Sequence, residues 1–326
     1  MAKYKVVITD IYYESRAKER QILSALGDDI ELVDLTEIQA GGMTDPTDFL
    51  PYAKDCDAII CQYARFSAEV IDQLEKCKVI ARYAIGVDTI DIDAATKKGI
   101  YVANVPDYCI EEVADMACAH LLNAFRKITF ARDALFKQAF SMDALPKTRR
   151  LSTQTLGLLG FGNIARSVAV KMQRFFGKIL AYDPYFDKKE DYPWVEFISL
   201  DELYARSDAI SIHIPLNPST HNMIDKSAID KMRPGVVLVN TARGGIIDQA
   251  ALADALDNGK IACAGLDVLS TEDFQGSEML YKENVILTPH ISWRSIEAQE
   301  EIQCKVANNV LSTFIAGKPV YPVNQL

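Results

Sequence analysis

The chain has 326 residues, 49% of them hydrophobic and 25% charged, enough for about two domains with cores of their own, which excludes a single small module. Lys and Arg number 35 against 45 Asp and Glu, a formal net charge of −10, so neither nucleic acid nor an anionic membrane surface is expected as a direct partner. The opening "MAKYKVVITD" shows no charged n-region, apolar h-region or small-residue cleavage site, and no stretch reaches the ~20 apolar residues of a membrane span.

A cytoplasmic protein is therefore expected. Seven cysteines (Cys56, Cys61, Cys77, Cys109, Cys118, Cys263 and Cys304), odd in number, scattered and never spaced C-x-x-C, fit buried thiols of a reducing compartment. With no H-E-x-x-H and no Cys/His pairing, no metal is expected.

In chain order, the apolar runs "KVVITD", "IELVDL", "AIICQY", "KVIARY" and "GIYVAN" alternate with helical segments such as "SRAKERQILSAL" and "SAEVIDQLEK". That alternation predicts βαβ units and a parallel sheet with helices on both faces, as in flavodoxin-like sheets. Next, in "PDYCIEEVADMACAHLLNAFRKITFARDALF", Val113, Ala114, Ala117, Cys118, Leu121, Leu122 and Phe125 recur at helical spacing, with Glu111 and Glu112 at the positive end of the helix dipole. One long helix is predicted, with His120 a packed or surface histidine. The connector "LPKTRRLSTQ" leads to a second series of strands, "TLGLLG", "KILAYD", "AISIHI", "VVLVNT", "IACAGLDV" and "VILTPH", again interleaved with helices. A final helix carries Ile302, Val306, Val310, Leu311 and Phe314 on one face and stops at Gly317; it is expected to fold back onto the first domain.

Chemistry concentrates in the second series. In "GLLGFGNIA", Gly160, Gly162 and Ala165 form G-x-G-x-x-A between an apolar strand and a helix. Gly160 permits the tight turn, Gly162 lets a pyrophosphate approach the backbone, Ala165 allows close packing, and the helix N-terminus offers N–H donors. About 20 residues on, Asp183 ends "KILAYD", where a carboxylate accepts both ribose hydroxyls of an adenosine and repels a 2′-phosphate. NAD rather than NADP is expected; Lys188 and Lys189 on the same loop pull the other way. Around it, cofactor contacts are expected from Gly160, Gly162, Asn163, Ile164, Asp183, His213, Pro215, Thr241, Ala242, Arg243, Asp267 and His290. His213 and His221 flank "IPLNPST", where a cofactor-lining loop and ordinary loop chemistry explain them equally well.

Three strand ends carry a cation, a carboxylate and an imidazole: Arg243 in "VNTARGGIID", Glu272 in "AGLDVLSTED" and His290 in "ILTPHISW". A guanidinium at the carboxyl end of a parallel sheet suits a carboxylate bidentately. Reduction of a carbonyl by hydride needs a proton on the oxygen, and a protonated imidazole supplies it near neutral pH; a carboxylate on the other ring nitrogen orients the ring. Arg243, Glu272 and His290 are the candidate catalytic residues.

Together with "RYAIGVDTIDIDAATKKGIYVANVP", "GLLGFGNIARSVA", "AYDPY" and "TPHISW", these segments resemble the D-isomer-specific 2-hydroxyacid dehydrogenases over nearly the whole chain. The resemblance implies a catalytic set of Arg243, Glu272 and His290. It also implies a substrate-carboxylate loop at Ala84, Ile85 and Gly86, whose backbone N–H groups bind, with Ala84 standing where the family usually has glycine. It implies a substrate-binding domain of residues 1–104 plus 293–326 hinged to a Rossmann NAD-binding domain of residues 105–292, and a homodimer packed through the helix from about 110. A small 2-oxo or 2-hydroxy acid is the implied substrate, with phosphoglycerate dehydrogenase and glyoxylate/hydroxypyruvate reductase as alternatives inside the family; Arg82 and Arg65 are the cations a phosphate would want. Trp293, with "NVPDYCIEEVAD", resembles the C-terminal binding protein branch, whose animal members are NAD-sensing corepressors, so a scaffold is the alternative from another class. Trp293 reads either as a wall of the substrate pocket or as interdomain packing.

Overall fold

The computed structural model describes residues 3–11, 13–137 and 147–326. Leu145 and Pro146 of the connector lie outside the described residues. The chain divides into two compact units, Met1–Tyr108 with Ser295–Leu326, and Cys109–Arg294.

In the first unit, β1 (Tyr4–Ile8), α1 (Ala17–Leu23), β2 (Ile30–Asp34), α2 (Pro46–Ala53), β3 (Ala58–Cys61), α3 (Ala68–Asp72), β4 (Val79–Arg82), α4 (Ile92–Lys97) and β5 (Tyr101–Ala103) alternate. The five strands pair in parallel in the order β2-β1-β3-β4-β5, the doubly wound flavodoxin-like order, whose switch point falls between β1 and β3. Asp45 and Asp91 start α2 and α4 by accepting from Thr47 N–H and Ala94 N–H, satisfying amides that the first turn leaves open.

The second unit begins with α5 (Ile110–Arg126) and α6 (Ile128–Phe136). The sequence pattern predicts one continuous helix here; Lys127 breaks it with a left-handed φ of 59°, a conformation that ends the first helix and redirects the chain. There follow β6 (Thr155–Leu159), α7 (Asn163–Met172), β7 (Lys178–Tyr182), β8 (Val195–Phe197), α8 (Leu200–Arg206), β9 (Ala209–Ile212), α9 (Lys226–Lys231), β10 (Val236–Asn240), α10 (Gln249–Asp257), β11 (Ile261–Leu266) and β12 (Val285–Leu287). Their order, β12-β11-β10-β9-β6-β7-β8, is parallel throughout and extends the Rossmann order by one strand, with the switch point between β6 and β9. All five residues of β10 are buried because both faces are covered. Leu238 packs among Leu159, Ile212 and Leu252 on one face, and Val237 and Val239 pack with Leu121, Leu158 and Val168 on the other. A run without polar alternation is what a strand covered on both faces requires, and each fully buried Val or Leu contributes about 1.5–3 kcal/mol.

The last helix, α11 (Ile296–Ala316), belongs to the first unit. Ser295 caps its start and Gly317, at φ 78°, ends it. Ile302, Val306 and Val310 are fully buried, and Gln303 Nε2 donates to Ser15 O and to Glu19 on α1.

Candidate functional site

The glycine turn sits at the switch point of the seven-stranded sheet. Gly160 has φ +90°, and a Cβ there would stand 2.8 Å from His213 O at the exit of β9, so any other residue would push the two strand exits apart. Gly162 heads α7 without a side-chain cap, and a Cβ on it would meet nothing within 4 Å. Open space therefore lies over uncapped helix amides, a fit for a pyrophosphate. Asp183, just beyond β7, is fixed beside this turn: Oδ2 accepts from Phe161 N–H at 2.8 Å and Oδ1 from Tyr185 N–H at 2.9 Å. Thr241 Oγ1, at the exit of β10, is buried without a hydrogen-bond partner among the described residues, as expected of a group awaiting a polar ligand. These features fit a dinucleotide.

Asn163 and Ile164 open α7, and Pro215 is exposed on the loop after β9. His213 pairs with Ser211 Oγ at 2.8 Å; burial pushes its imidazole down to about 4, so it is neutral near pH 7 and offers a hydrogen bond, not a charge. His221 is exposed. One residue the sequence pattern did not single out is Arg166, whose guanidinium donates to Phe161 O and to the Asn163 amide and lies over Phe186. Its position in the first turn after the glycines was the available signal.

Arg243, Glu272 and His290 follow β10, β11 and β12, three strands adjacent in the sheet. His290 Nδ1 lies 2.8 Å from Glu272 Oε2, with the two side chains 33% and 47% exposed, so the pair is oriented yet open to a reactant. Both residues adopt left-handed backbone, φ +53° for His290 and +56° for Glu272, which costs a non-glycine residue roughly 1–3 kcal/mol and persists only where the surroundings impose it. For His290 the imposing group is Asp267, fully enclosed at the exit of β11. Its carbonyl accepts from His290 N–H at 2.8 Å, Oδ1 accepts from Ile291 N–H at 3.0 Å and Oδ2 from Ser292 N–H at 2.9 Å. Trp293 Nε1 donates to His290 O at 3.1 Å. Arg243 Nη1 donates to Ala242 O, and Arg243 O accepts from Asn240 Nδ2.

In the first unit, Ala84–Gly86 follow β4 and are partly buried. Ala84 N–H donates to Arg82 O, while Ala84 O and Ile85 O accept from Val105 N–H and Asn104 Nδ2. Among the described residues the N–H groups of Ile85 and Gly86 have no partner. Arg82 is only 6% exposed; its Nε donates to Gln62 O at 3.0 Å and its Nη1 to Gly86 O at 2.7 Å and to Asp88. It braces this loop and is not the free cation that a phosphate would need. Arg65 is exposed.

Comparison with known proteins agrees with this arrangement. Residues 118–292, more than half of the chain, match the profile described as D-isomer specific 2-hydroxyacid dehydrogenase, NAD binding domain. A hydroxypyruvate reductase of Thermotoga maritima is 39% identical over 260 residues, 78% of this chain and 84% of that protein. A D-3-phosphoglycerate dehydrogenase of Mycobacterium tuberculosis is 37% identical over 290 residues, 88% of this chain but 54% of that protein; the chain thus spans about half the length of the phosphoglycerate dehydrogenases it matches. The crystal structure of a D-lactate dehydrogenase from Aquifex aeolicus, complexed with NAD and lactic acid, superposes with a TM-score of 0.82 at 30% identity over 96% of each chain. With a glycine turn, an acid after β7 and a paired histidine already in place, the chain belongs to the D-isomer specific 2-hydroxyacid dehydrogenase family, and residues 118–292 form its NAD-binding domain.

Proposed function

We propose that the protein is an NAD-dependent reductase that interconverts a small 2-oxo acid and the corresponding D-2-hydroxy acid. The observation that carries this reading is the His290–Glu272 pair at 2.8 Å, one strand away in the sheet from the exit that bears Arg243. Bound NADH supplies the hydride. Gly160, Gly162, Asn163 and Ile164 hold the pyrophosphate, Asp183 the adenosine ribose, and His213, Pro215, Thr241 and Ala242 line the remainder, while Asp267 acts through the turn it fixes. In the second unit Arg243 holds the substrate carboxylate, His290 delivers the proton to the ketone oxygen, and Glu272 keeps the ring oriented for that transfer. In the first unit the unpartnered N–H groups of Ile85 and Gly86 suit a carboxylate oxygen.

Arg82 being committed to the loop, a phosphorylated substrate would rest on Arg65, so unphosphorylated acids are the expected substrates. Seven thiols, none in a disulfide, support a cytoplasmic location. A homodimer is supported by Ile128, Leu135 and Phe136 on α6, which are 61%, 55% and 73% exposed.

The test is NADH oxidation against glyoxylate, hydroxypyruvate, pyruvate, branched and aromatic 2-oxo acids and phosphohydroxypyruvate. Turnover of an unphosphorylated acid is expected, with kcat lowered at least about 100-fold in His290→Ala, the usual scale of general acid catalysis. Tight NADH binding without turnover of any of them would sink the reading.

A further inference from the structure

His120 takes no part in the chemistry above, yet it is one of four histidines in the chain and is only 2% exposed. It projects from α5 against β11, where a Cβ on Gly265 would stand 2.8 Å from the His120 Cβ and 3.1 Å from its Nδ1. Only glycine at 265 leaves the imidazole room there. Its Nε2 lies 3.2 Å from Thr288 Oγ1, and Thr288 Oγ1 lies 2.5 Å from Asp267 Oδ1.

The direction of this chain of bonds follows from donor counting. A carboxylate only accepts, so the single hydroxyl proton of Thr288 goes to Asp267; the imidazole must then donate from Nε2. Nδ1 is left as the bare nitrogen. Burial holds His120 below the usual imidazole value, opposed by the charge of Asp267, which agrees with a neutral ring in that tautomer. Asp267 is the same carboxylate that accepts from Ile291 and Ser292 N–H and whose carbonyl accepts from His290 N–H.

We propose that His120 is a positioning residue for His290, acting through Thr288 and Asp267 to hold the turn of residues 288–293 in its left-handed form. The proposal rests on the reading of His290 as the acid, but its geometry can be tested without turnover. With the imidazole donating to it, Thr288 Oγ1 keeps its own proton on Asp267, and bonds in such a chain polarise one another. Without that donor the hydroxyl is free to rotate, and the turn loses the side chain that links it to α5.

The experiment compares His120→Leu, which keeps bulk and helix propensity, with His120→Gln, whose side-chain amide can donate where Nε2 does. Two readouts are used: hydrogen exchange at amides 290–292 relative to amides of β7, and steady-state kinetics on whichever 2-oxo acid the wild type reduces. His120→Leu is expected to speed exchange at 290–292 by roughly tenfold over β7 and to lower kcat by about 3- to 10-fold, the scale of one hydrogen bond, with KM for NADH within about twofold. His120→Gln restores both. Should His120→Leu fail to fold, Thr288→Val breaks the same link, and Thr288→Ser is expected to preserve it. Exchange that stays at the wild-type rate in the His120→Leu or Thr288→Val protein, or rises equally in β7, overturns the proposal. If the wild type reduces no 2-oxo acid, the functional reading fails while the exchange comparison still decides the inference.

Discussion

Both sheets carry polar and charged residues at or just beyond strand ends, and they use them in opposite ways. At the exits of β1 and β4, Asp10 and Arg82 are absorbed by backbone. Asp10, 1% exposed, accepts from the N–H groups of Gln62, Tyr63 and Ala64 and from Thr9 Oγ1; burial pushes its carboxyl above the usual range against the pull of these four bonds. Arg82 is committed to the carbonyls of Gln62 and Gly86. Among the described residues the N–H groups of Ile85 and Gly86 are left there without a partner. At the exits of β11 and β12 it is the backbone that is absorbed, by Asp267, while Glu272 and His290 stay 47% and 33% exposed. Buried charge that shapes a loop can recognise an anion through main chain; proton transfer needs a side chain that can reach the reacting atom in either protonation state. On the proposed function, the first unit holds and the second reacts.

That contrast is broken most directly at Arg82. In Arg82→Met the carbonyls of Gln62 and Gly86 lose their donor and the loop of Ile85 and Gly86 relaxes. KM for the 2-oxo acid is expected to rise about tenfold or more, with kcat within about threefold and KM for NADH unchanged, the pattern of lost binding rather than lost chemistry. A fall in kcat as deep as that of His290→Ala would mean that the loop acts on the reaction itself. The contrast is sharpened at Asp183, the carboxylate proposed to select the cofactor rather than to react. Asp183→Asn keeps an acceptor for one of the two N–H groups, of Phe161 and Tyr185, that the carboxylate now serves, and removes the charge. The ratio of kcat/KM for NADPH over NADH is expected to rise roughly tenfold, because the repulsion of a 2′-phosphate is gone. An unchanged ratio would assign the preference to another group.

Much of this was legible in the sequence for identifiable reasons. The β10 run "VVLVN" is continuous because both its faces are buried, and such runs stand out against a polar background. The strand and helix around Gly160 gave the turn its meaning, and Arg243, Glu272 and His290 each follow a strand that can be recognised. Other features carried no one-dimensional signal. β8 is three residues at the sheet edge, too short for periodicity. The break at Lys127 depends on one backbone angle in a residue compatible with helix. Arg82 reads as a cation available to a phosphate until its bonds to carbonyls are seen. His120 reads as helix-face packing because its partner, Thr288, stands 168 residues away; only folding brings a histidine, a threonine and an aspartate into one row.

The smallest effect expected concerns His213, which lies on the reacting side of the contrast but does no titration near neutrality. Its folded value is depressed to about 4 from an ordinary 6.5, so between these two values the unfolded chain binds the extra proton and the folded chain does not. The stability this neutral imidazole contributes is therefore fully present above about pH 6.5 and is lost as pH falls toward 4. From pH 7 to 5.5 the linkage amounts to about 1 kcal/mol, or roughly 2–4 °C in Tm for a domain of this size. His213→Gln keeps a partner for Ser211 Oγ and cannot titrate, so its Tm should fall less than that of the wild type over the same interval. Parallel Tm curves for the two proteins would show that the ring is already open to protonation in the folded state, and that the exit of β9 is wetter than its packing implies.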